Sequence, residues 1–308
     1  MAKPTIKIGS TGPYVVECQK LLTAHGIPTV ADGQFGGGTE RNVMQFQNSV
    51  GLGADGIVGP NTWLALEKGV EVPDRRFDKC VSRFLPLNEG QYVKGPQNKV
   101  GVMLHHTVSD GNPEQVVNTW NNDSRGAVGT HFIIGRTMAN GETKYDGEIV
   151  QCIDLEDWAY HVATTRMGYS SSHNANANKL YVGIEICSYG CLQEKNGKYY
   201  TMDGRNAEVP ASEVCVLDKP WRTYKYWHKY TAKQIESLRK LLRALHGKVG
   251  IDLMTRPYDP PINWEWFDLS WEMLNFRRKL GVHSSMEAGK FDAYPQPELI
   301  QMLRELYG

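Results

Sequence analysis

Two imidazoles and a carboxylate in this sequence could form a metal site. "KVGVMLHHT" is an apolar run, typical of a buried strand, that ends in His105 and His106. "HSSMEAGKFD" contains His283 and Asp292. Together with His105 they would supply two nitrogens and one oxygen and leave a fourth tetrahedral position open for water, as in a catalytic zinc site. Adjacent strand residues face opposite sides, so only one of the two neighbouring histidines can enter such a site, and the pattern does not say which.

Two further charged residues could take part in catalysis. Glu185 stands in the apolar row "KLYVGIEICS", and a carboxylate in the middle of a buried strand is costly unless it is paired or near water. It is therefore a candidate functional residue, with an ion pair to Arg or Lys across the sheet as the alternative. Lys290 lies two residues before Asp292. In an extended segment it would point to the same side, close enough to meet charge that develops on a substrate oxygen.

Predicted strands and helices alternate around these residues. "GTHFIIG" and "GEIVQCID" predict strands, and "PEQVVNTWNND" predicts a helix that starts at Pro113. "TAKQIESLRKLLRALHGKVG" predicts a long helix with a capping box of Thr231 and Gln234, and "PELIQMLRELYG" predicts a closing helix. The predicted fold of this part is α/β, a mixed central sheet flanked by helices.

The first 70 residues contain a short internal repeat. "DGQFGGGT" (32–39) and "DGIVGPNT" (55–62) both begin with Asp-Gly and end in Thr, and a helical pattern follows each. Thr39 and Thr62 are predicted as N-caps, with the Asp-Gly pairs as the turns before them. With an earlier helix in "GPYVVECQKLLTAHG", the pattern predicts an all-α, three-helix unit of about 60 residues that closes near Leu66.

Composition limits the partners of this protein. Lys plus Arg and Asp plus Glu both number 34, so the chain lacks the excess basic charge with which proteins usually bind DNA or an anionic membrane. No apolar run approaches the roughly 20 residues needed to span a bilayer. The N-terminus "MAKPTIKIGS" has no signal-peptide core, which predicts synthesis in the cytoplasm. The six cysteines lack zinc-ribbon or redox-pair spacing and are predicted to be free thiols.

Residues 6–66 resemble the peptidoglycan-binding domain family. The similarity runs from "IKIGSTGPYVVECQKLL" through "DGQFGGGTERNVMQFQNSVGLGADGIVGPNTWLAL". Members of this family bind the polymer of the bacterial cell wall and have no catalytic role. The resemblance suggests Gln34, Phe35 and Trp63 as contacts for sugar or peptide, and a core role for the two aromatic residues is the alternative.

Residues 98–308 resemble the zinc-dependent N-acetylmuramoyl-L-alanine amidases, the family type shared by phage lysins and peptidoglycan recognition proteins. The matching segments are "GVMLHHT", "THFIIGR", "GEIVQCIDLEDWAYHV", "YVGIEI", "TAKQIESLRKLLRAL" and "HSSMEAGKFD". The resemblance selects the first of the two adjacent histidines as a ligand and implies one acidic and one cationic catalytic residue. The implied Zn²⁺ ligands are His105, His283 and Asp292, and the implied catalytic residues are Glu185 and Lys290.

The resemblance also points to residues around the ligand set and to insertions. His161 in "DWAYHV" and His131 in "THFIIG" are expected beside the ligands or in the pocket wall, with a structural role as the alternative. The segments 188–230 and 255–281 are insertions, longer than the corresponding segments in most members of the family. The first insertion contains "WRTYKYWHKY" (221–230), for which an amphipathic surface strand or loop and a strip that stacks on glycan both stay open.

The predicted domains are 5–68 for wall binding, 69–97 as linker and lead-in, and 98–308 for catalysis. The implied function is hydrolysis of the amide between N-acetylmuramic acid and the stem-peptide L-alanine of bacterial peptidoglycan, with Zn²⁺ as cofactor, by a monomer. A wall-binding module joined to an amidase resembles a bacteriolytic phage endolysin, made in the host cytoplasm and active on the wall once the membrane is opened. Two alternatives stay open: a non-catalytic peptidoglycan recognition protein, and a muramidase that cuts the glycan chain.

Overall fold

The structure, a computed structural model, describes residues 3–68, 76–253 and 261–306. The chain divides into two compact units, Met1–Arg75 and Arg76–Gly308. The described part of the first unit contains α1 (Pro13–Ala24), α2 (Gly37–Ser49) and α3 (Pro60–Lys68). The predicted three-helix fold of this unit is confirmed.

Each half of the N-terminal repeat is organised around one buried glutamine. Gln47 Nε2 donates hydrogen bonds to Asp55 Oδ1 at 2.8 Å and to Thr62 Oγ1 at 3.1 Å. Its other bonds join a loop carbonyl and a loop N–H, so the amide has a partner on each side. Gln19 makes the same four bonds to the loop of residues 32–39. A buried amide with every bond made fixes the shape of each loop.

The two threonines of the repeat are not N-caps, and the prediction from the sequence is wrong on this point. The N-cap residue of α2 is Gly36, and Thr39 is the third residue of the helix. α3 begins at Pro60, so Thr62 is also its third residue. At that position both hydroxyls instead accept the glutamine amide and donate to a loop carbonyl, which ties each loop to the helix after it.

The second unit contains a six-stranded sheet and a five-stranded sheet. In the six-stranded sheet the order is β1-β4-β3-β5-β2-β11, with β3 and β4 antiparallel and the other neighbours parallel. The mixed sheet that the sequence predicts is therefore confirmed. In chain order the strands and α-helices in the described part of this unit are β1 (Arg83–Phe84), β2 (Gly101–His106), α4 (Pro113–Asn121), β3 (Phe132–Ile134), β4 (Ile149–Gln151), α5 (Ser171–Leu180), β5 (Tyr181–Ile186), β6 (Cys191–Lys195), β7 (Lys198–Thr201), β8 (Glu208–Val209), β9 (Val214–Trp221), β10 (Tyr224–His228), α6 (Ala232–Val249), α7 (Trp271–Leu274), β11 (Leu280–Val282) and α8 (Pro297–Leu306).

The two faces of the six-stranded sheet have different roles. Val102 and Leu104 of β2 point into the main core, which also contains leucines of α6 and α8. Residues of opposite parity on the same strands face the other side. There Met103 packs with Ala177 of α5, and Ile133 packs in a separate cluster with valines of α4. This second face, between two small apolar clusters, carries the candidate site.

The long helix α6 begins as the sequence predicts. Thr231 Oγ1 accepts the backbone N–H of Gln234 at 3.1 Å, and the Gln234 side chain accepts the backbone N–H of Thr231 at 3.0 Å. This capping box satisfies two free donors of the first turn. Within the described residues, none of the helices is long and apolar enough to cross a membrane.

Residues 188–230, the first predicted insertion, form the five-stranded antiparallel sheet, with strand order β8-β7-β6-β10-β9. Segment 221–230 includes the end of β9 and all of β10, and three of its rings are buried while other positions stay exposed. This agrees with an amphipathic strand, and it leaves these three rings without a surface for stacking on glycan. Trp221, Trp227 and Tyr230 are all buried and belong to the main core. The reason is packing: the Trp227 ring stacks on Tyr294 with 4.6 Å between ring centroids.

Two other predicted segments overlap the six-stranded sheet. β1 lies within residues 69–97, the predicted linker and lead-in, and pairs with β4 at the edge of the sheet. The last two residues of the predicted insertion 255–281 belong to β11. Residues 69–75 and 254–260 lie outside the described residues.

Candidate active site

His105 and His283 are neighbours because their strands are parallel and in register. Val282 of β11 pairs with Leu104 of β2, so the next residue of each chain segment is one of the two histidines. Asp292 returns to the same point after the short turn "SSMEAGKF". The three side chains thus come from two adjacent strand ends and one loop.

The donor atoms of these three residues form a small triangle. The two Nδ1 atoms of His105 and His283 are 3.1 Å apart, and Asp292 Oδ2 lies 3.2 Å from the first and 3.0 Å from the second. Tetrahedral zinc with bonds of about 2.0 Å places its ligand atoms about 3.3 Å from one another. Two imidazole nitrogens and one carboxylate oxygen at this spacing therefore fit a zinc ion that keeps its fourth position open.

The pKa shifts of two candidate ligand residues, His105 and Asp292, suit a cation. Burial lowers the pKa of His105 to about 4, although Asp292 acts in the opposite direction. This histidine is therefore neutral at neutral pH, as a ligand must be. Burial opposes ionisation of Asp292, but the charges and hydrogen bonds of His283 and His105 outweigh it and hold its pKa well below the usual value. Burial acts to lower the pKa of His283 as well, but Asp292 and Glu287 outweigh it and raise that pKa above its usual value, so a metal ion would have to displace a proton from this ring.

Each ligand histidine has a partner on its far nitrogen. His105 Nε2 lies 3.0 Å from His161 Nδ1, and His283 Nε2 lies 3.0 Å from Glu287 Oε2. Because each Nδ1 faces the ligand triangle, the ring proton belongs on Nε2, where these partners accept it. The structure places His161 directly beside a ligand, one of the positions that the sequence left open for it.

Glu287 has no counterpart among the residues predicted from the sequence. Its side chain is buried behind His283, four residues away in the chain. That spacing was the available signal. An i, i+4 pair brings the two side chains together only where the chain turns, and the structure forms such a turn at His283–Ser285.

Glu185 is directly opposite His105 in the β2–β5 register, so both side chains rise from the same face. Its Oε2 is buried and has no hydrogen-bond partner among the described residues. The alternative of a cross-sheet ion pair with Arg or Lys finds no support in the described part of the chain. Burial and the negative charge of Asp292 together raise the pKa of Glu185 to about 8, although the charges of His283 and Lys290 act in the opposite direction.

A groove of about 380 Å³ runs over these residues. It is lined by the three ligand residues, by Glu185 and Lys290, and by a wall of aromatic and basic side chains. The wall includes Trp120, Arg125, Tyr160, His161 and Arg166. An open, mixed apolar and charged groove with a carboxylate and an ammonium group beside a metal-type triangle can bind and hydrolyse an extended polar substrate.

His131 is placed outside this groove. Its Nδ1 accepts the backbone N–H of Gly183 at 3.2 Å, and its Nε2 lies 3.1 Å from the carbonyl oxygen of Asp157. Both ring nitrogens are used for backbone contacts, and the ring is fully buried. The structural alternative describes His131 better than a place in the pocket wall.

The candidate binding residues of the first unit differ in exposure. Phe35 and Trp63 are only 2% and 3% exposed and lie in the core between the helices. The Trp63 indole N–H donates to the carbonyl oxygen of Pro4 at 2.8 Å. Gln34 is exposed. The core role left open for the two rings agrees with this placement, and contact of Gln34 with the wall polymer stays a prediction.

Comparisons with known proteins give matches to both units. Residues 11–66 match the family model of a putative peptidoglycan binding domain, and residues 96–263 match the family model of N-acetylmuramoyl-L-alanine amidase. The second match ends before His283 and Asp292.

Similar proteins cover only parts of the chain. A zinc D-Ala-D-Ala carboxypeptidase of Streptomyces albus G is 40% identical over 62 residues, which are 19% of this chain and 24% of that protein. A spore cortex-lytic enzyme of Bacillus cereus is 32% identical over 129 residues, 39% of this chain and 48% of that protein. The chain thus spans between a quarter and a half of these curated relatives. Among solved structures, an endolysin N-acetylmuramoyl-L-alanine amidase from Clostridium intestinale is 14% identical, with 73% of this chain and 96% of that chain covered and a TM-score of 0.38.

Proposed function

Since the chain belongs to the N-acetylmuramoyl-L-alanine amidase family, we propose that it hydrolyses the amide between N-acetylmuramic acid and the L-alanine of the stem peptide in bacterial peptidoglycan. The observation that carries the proposal is the convergence of His105, His283 and Asp292 in one groove, with the unpaired carboxylate of Glu185 beside them. The peptidoglycan-binding match of residues 11–66 supports the same polymer as substrate.

The proposed cofactor is Zn²⁺, held by His105 Nδ1, His283 Nδ1 and Asp292 Oδ2. Their spacing of 3.0–3.2 Å and the neutral state of His105 support this assignment. When bound, the ion would supply a Lewis acid for the scissile carbonyl and acidify the attacking water.

Glu185 is the proposed general base and acid. Its Oε2 would accept a proton from the attacking water and return one to the leaving amine nitrogen of L-alanine. A pKa raised toward neutral pH suits both transfers, since the group must bind and release a proton in one turnover. The positive charge of Lys290 favours the ionised form that starts the cycle.

Lys290 is the proposed electrostatic partner of the reacting carbonyl. It lines the groove next to the ligand triangle, and no ion pair engages its ammonium group among the described residues. An ammonium group placed there would stabilise the negative oxygen of the tetrahedral intermediate, an effect often worth about 3 kcal/mol.

The other carboxylates of the groove do not support a glycan-cutting mechanism. That chemistry needs two carboxylates placed on either side of a glycosidic bond. Besides Glu185, the described groove residues include Glu287 and Asp292, and both are hydrogen-bonded to His283. We therefore prefer amide hydrolysis to muramidase activity. Because all three candidate ligand positions are filled, we also prefer it to a purely binding role.

The proposed biological role is cell lysis by a phage-type enzyme. It would be made in the host cytoplasm and reach the wall after the membrane is opened. The combination of a wall-binding match with an amidase match in one chain supports this role.

Digestion of purified sacculi and defined muropeptides, followed by mass spectrometry, tests the activity. We expect new free amino groups of L-alanine without new reducing sugar ends, loss of the reaction with a strong chelator, and recovery with added zinc. New reducing ends would identify a muramidase instead. Retention on sacculi without any product would identify a recognition protein.

A further inference from the structure

We infer that Glu287 is a positioning residue that holds His283 in its metal-binding orientation and, through Arg166, joins the metal-binding turn to the wall of the groove. This inference rests on the proposed metal site. It adds a residue that acts through a ligand, and it predicts that metal binding and the order of the groove wall depend on each other.

The Glu287 carboxylate is surrounded by three donors. Oε2 lies 3.0 Å from His283 Nε2 and accepts the backbone N–H of Ala163 at 3.0 Å, while Oε1 accepts Arg166 Nη1 at 2.9 Å. The residue is only 1% exposed. A buried carboxylate is stable in the ionised form only when donors of this kind satisfy it. The arrangement therefore fixes a negative charge directly behind a proposed ligand.

The first consequence concerns the tautomer of His283. With a carboxylate at Nε2, the ring proton stays on that nitrogen, and the Nδ1 lone pair faces the ligand triangle. Without the carboxylate, the proton can move to Nδ1 and occupy the position that the metal needs. A glutamine cannot replace Glu287 fully, because its amide NH₂ would face either His283 or Arg166, and both are donors there.

The second consequence concerns the groove wall. Ala163 and Arg166 both line the groove, and Arg166 belongs to the short 3₁₀ helix Thr164–Met167. The Ala288 backbone N–H also points to Met167 Sδ at 3.2 Å. Residues 163–167 of the wall are thus joined to the turn that carries His283 through the Glu287 carboxylate and through the contact of Ala288 with Met167. Coupling of this kind is reciprocal, so metal binding should stabilise the wall as much as the wall supports metal binding.

The chain offers a matched control for this cluster. Glu213 also joins a histidine and an arginine: its Oε2 is 3.3 Å from His228 Nε2 and 2.6 Å from Arg136 Nη2. This cluster has the same three residue types as the cluster around Glu287, but none of its members contacts a proposed ligand. Loss of Glu213 therefore perturbs a similar network without touching the metal site.

The test compares zinc affinity in Glu287→Gln, Glu287→Asp and Glu213→Gln, by competition with a chromophoric chelator. We expect Glu287→Gln to bind zinc about 10- to 100-fold more weakly, as is usual when the partner of a metal-binding histidine is lost. Glu287→Asp should recover part of the loss, and Glu213→Gln should stay within about twofold of the wild type. The cobalt(II) absorption spectrum should change in Glu287→Gln only.

Hydrogen exchange tests the coupling to the wall. Zinc should slow exchange at residues 163–167 in the wild type and in Glu213→Gln, but much less in Glu287→Gln. Arg166→Gln removes only the exposed partner of Glu287, so this variant should fold even if Glu287→Gln does not. In Arg166→Gln, zinc should protect residues 163–167 from exchange less than it does in the wild type.

Two results would overturn the inference. One is zinc affinity and a cobalt spectrum in Glu287→Gln equal to those of the wild type. The other is equal zinc protection of residues 163–167 in the wild type and in Arg166→Gln, which would remove the coupling. If the wild type itself binds no zinc, the proposed metal site fails, and this outcome is distinct from both.

Discussion

Replacement of Glu185 by glutamine should make the metal-free protein more stable and the enzyme nearly inactive. The side chain is partly buried opposite His105, its Oε2 is buried without a partner among the described residues, and its pKa is raised from 4.5 to about 8. A carboxyl group with a higher pKa in the folded state than in the unfolded state destabilises the fold once the pH exceeds the unfolded value. Glutamine has nearly the same shape and no charge to bury.

The size of the stability gain follows from the pKa shift. At about 1.4 kcal/mol per pKa unit, the interval between 4.5 and pH 7 corresponds to about 3 kcal/mol. Water in the open groove screens part of this penalty, so we expect Glu185→Gln to gain about 1–2 kcal/mol at pH 7. The gain should vanish near pH 4, where the carboxyl is protonated in both states, and should be largest above pH 8. Loss of a general base should lower kcat by about 10²- to 10⁴-fold.

Two measurements check this prediction, one on metal-free protein and one on zinc-bound protein. Denaturant unfolding of chelator-treated wild type and Glu185→Gln at pH 4, 7 and 8.5 gives the stability difference, and turnover of a defined muropeptide gives kcat. Zinc content serves as the control and should be unchanged. A variant that is less stable at pH 8.5, or that keeps wild-type turnover with zinc bound, would refute the assignment of a buried, unpaired catalytic carboxylate.

Three further substitutions test other parts of the structure. Asp292→Ala should lose most of its zinc on dialysis, because a three-residue ligand set becomes a pair; unchanged zinc by elemental analysis would remove Asp292 from the ligand set. Lys290→Met should lower kcat by about 10²- to 10³-fold with zinc content retained, and equal kcat would exclude a role in charge stabilisation. Gln47→Ala removes four hydrogen bonds, two of them buried and two partly buried, and should destabilise the first unit by about 2–4 kcal/mol, measured as loss of binding to sacculi on heating, whereas Gln45→Ala, at a partly exposed position, should have little effect.

The elements that the sequence predicts well are those with a strong local pattern. The strand that ends in His105 and His106, the helix from Pro113, and the capping box of Thr231 and Gln234 all follow from residues close together in the chain. Local hydrogen bonds and hydrophobic periodicity determine these features, so a window of about 10–20 residues contains the needed information.

The features that the sequence did not predict depend on distant contacts. The spacing of Val15, Cys18 and Leu22 puts Gln19 on the buried face of α1. It does not show that the Gln19 amide binds Asp32, 13 residues away across the first loop. The local pattern favours Thr39 and Thr62 as N-caps, whereas tertiary hydrogen bonds give both hydroxyls a different role. Glu287 needed a tight turn that an extended pattern does not suggest.

The ligand set shows the same limit more sharply. Residue types and spacing left open which of His105 and His106 enters the site, and only the resemblance to a family selected one. In the structure the choice follows from register, because His105 pairs with Glu185 and lies next to His283, while His106 takes the opposite face. Strand register is a property of the whole sheet, so a single strand cannot reveal it.

The insertion of residues 188–230 packs on the face of the six-stranded sheet that lies opposite the candidate site. His106 points into that face, where the Tyr230 hydroxyl lies 3.1 Å from its Nδ1. Trp227 of the same five-stranded sheet stacks on Tyr294, two residues after Asp292. The inserted sheet therefore packs against the back of β2 and against the segment that carries Asp292, two of the three positions that bring in ligands. We therefore expect substitution of Trp227 or Tyr230, the two rings that contact these segments, to weaken metal retention without touching the groove.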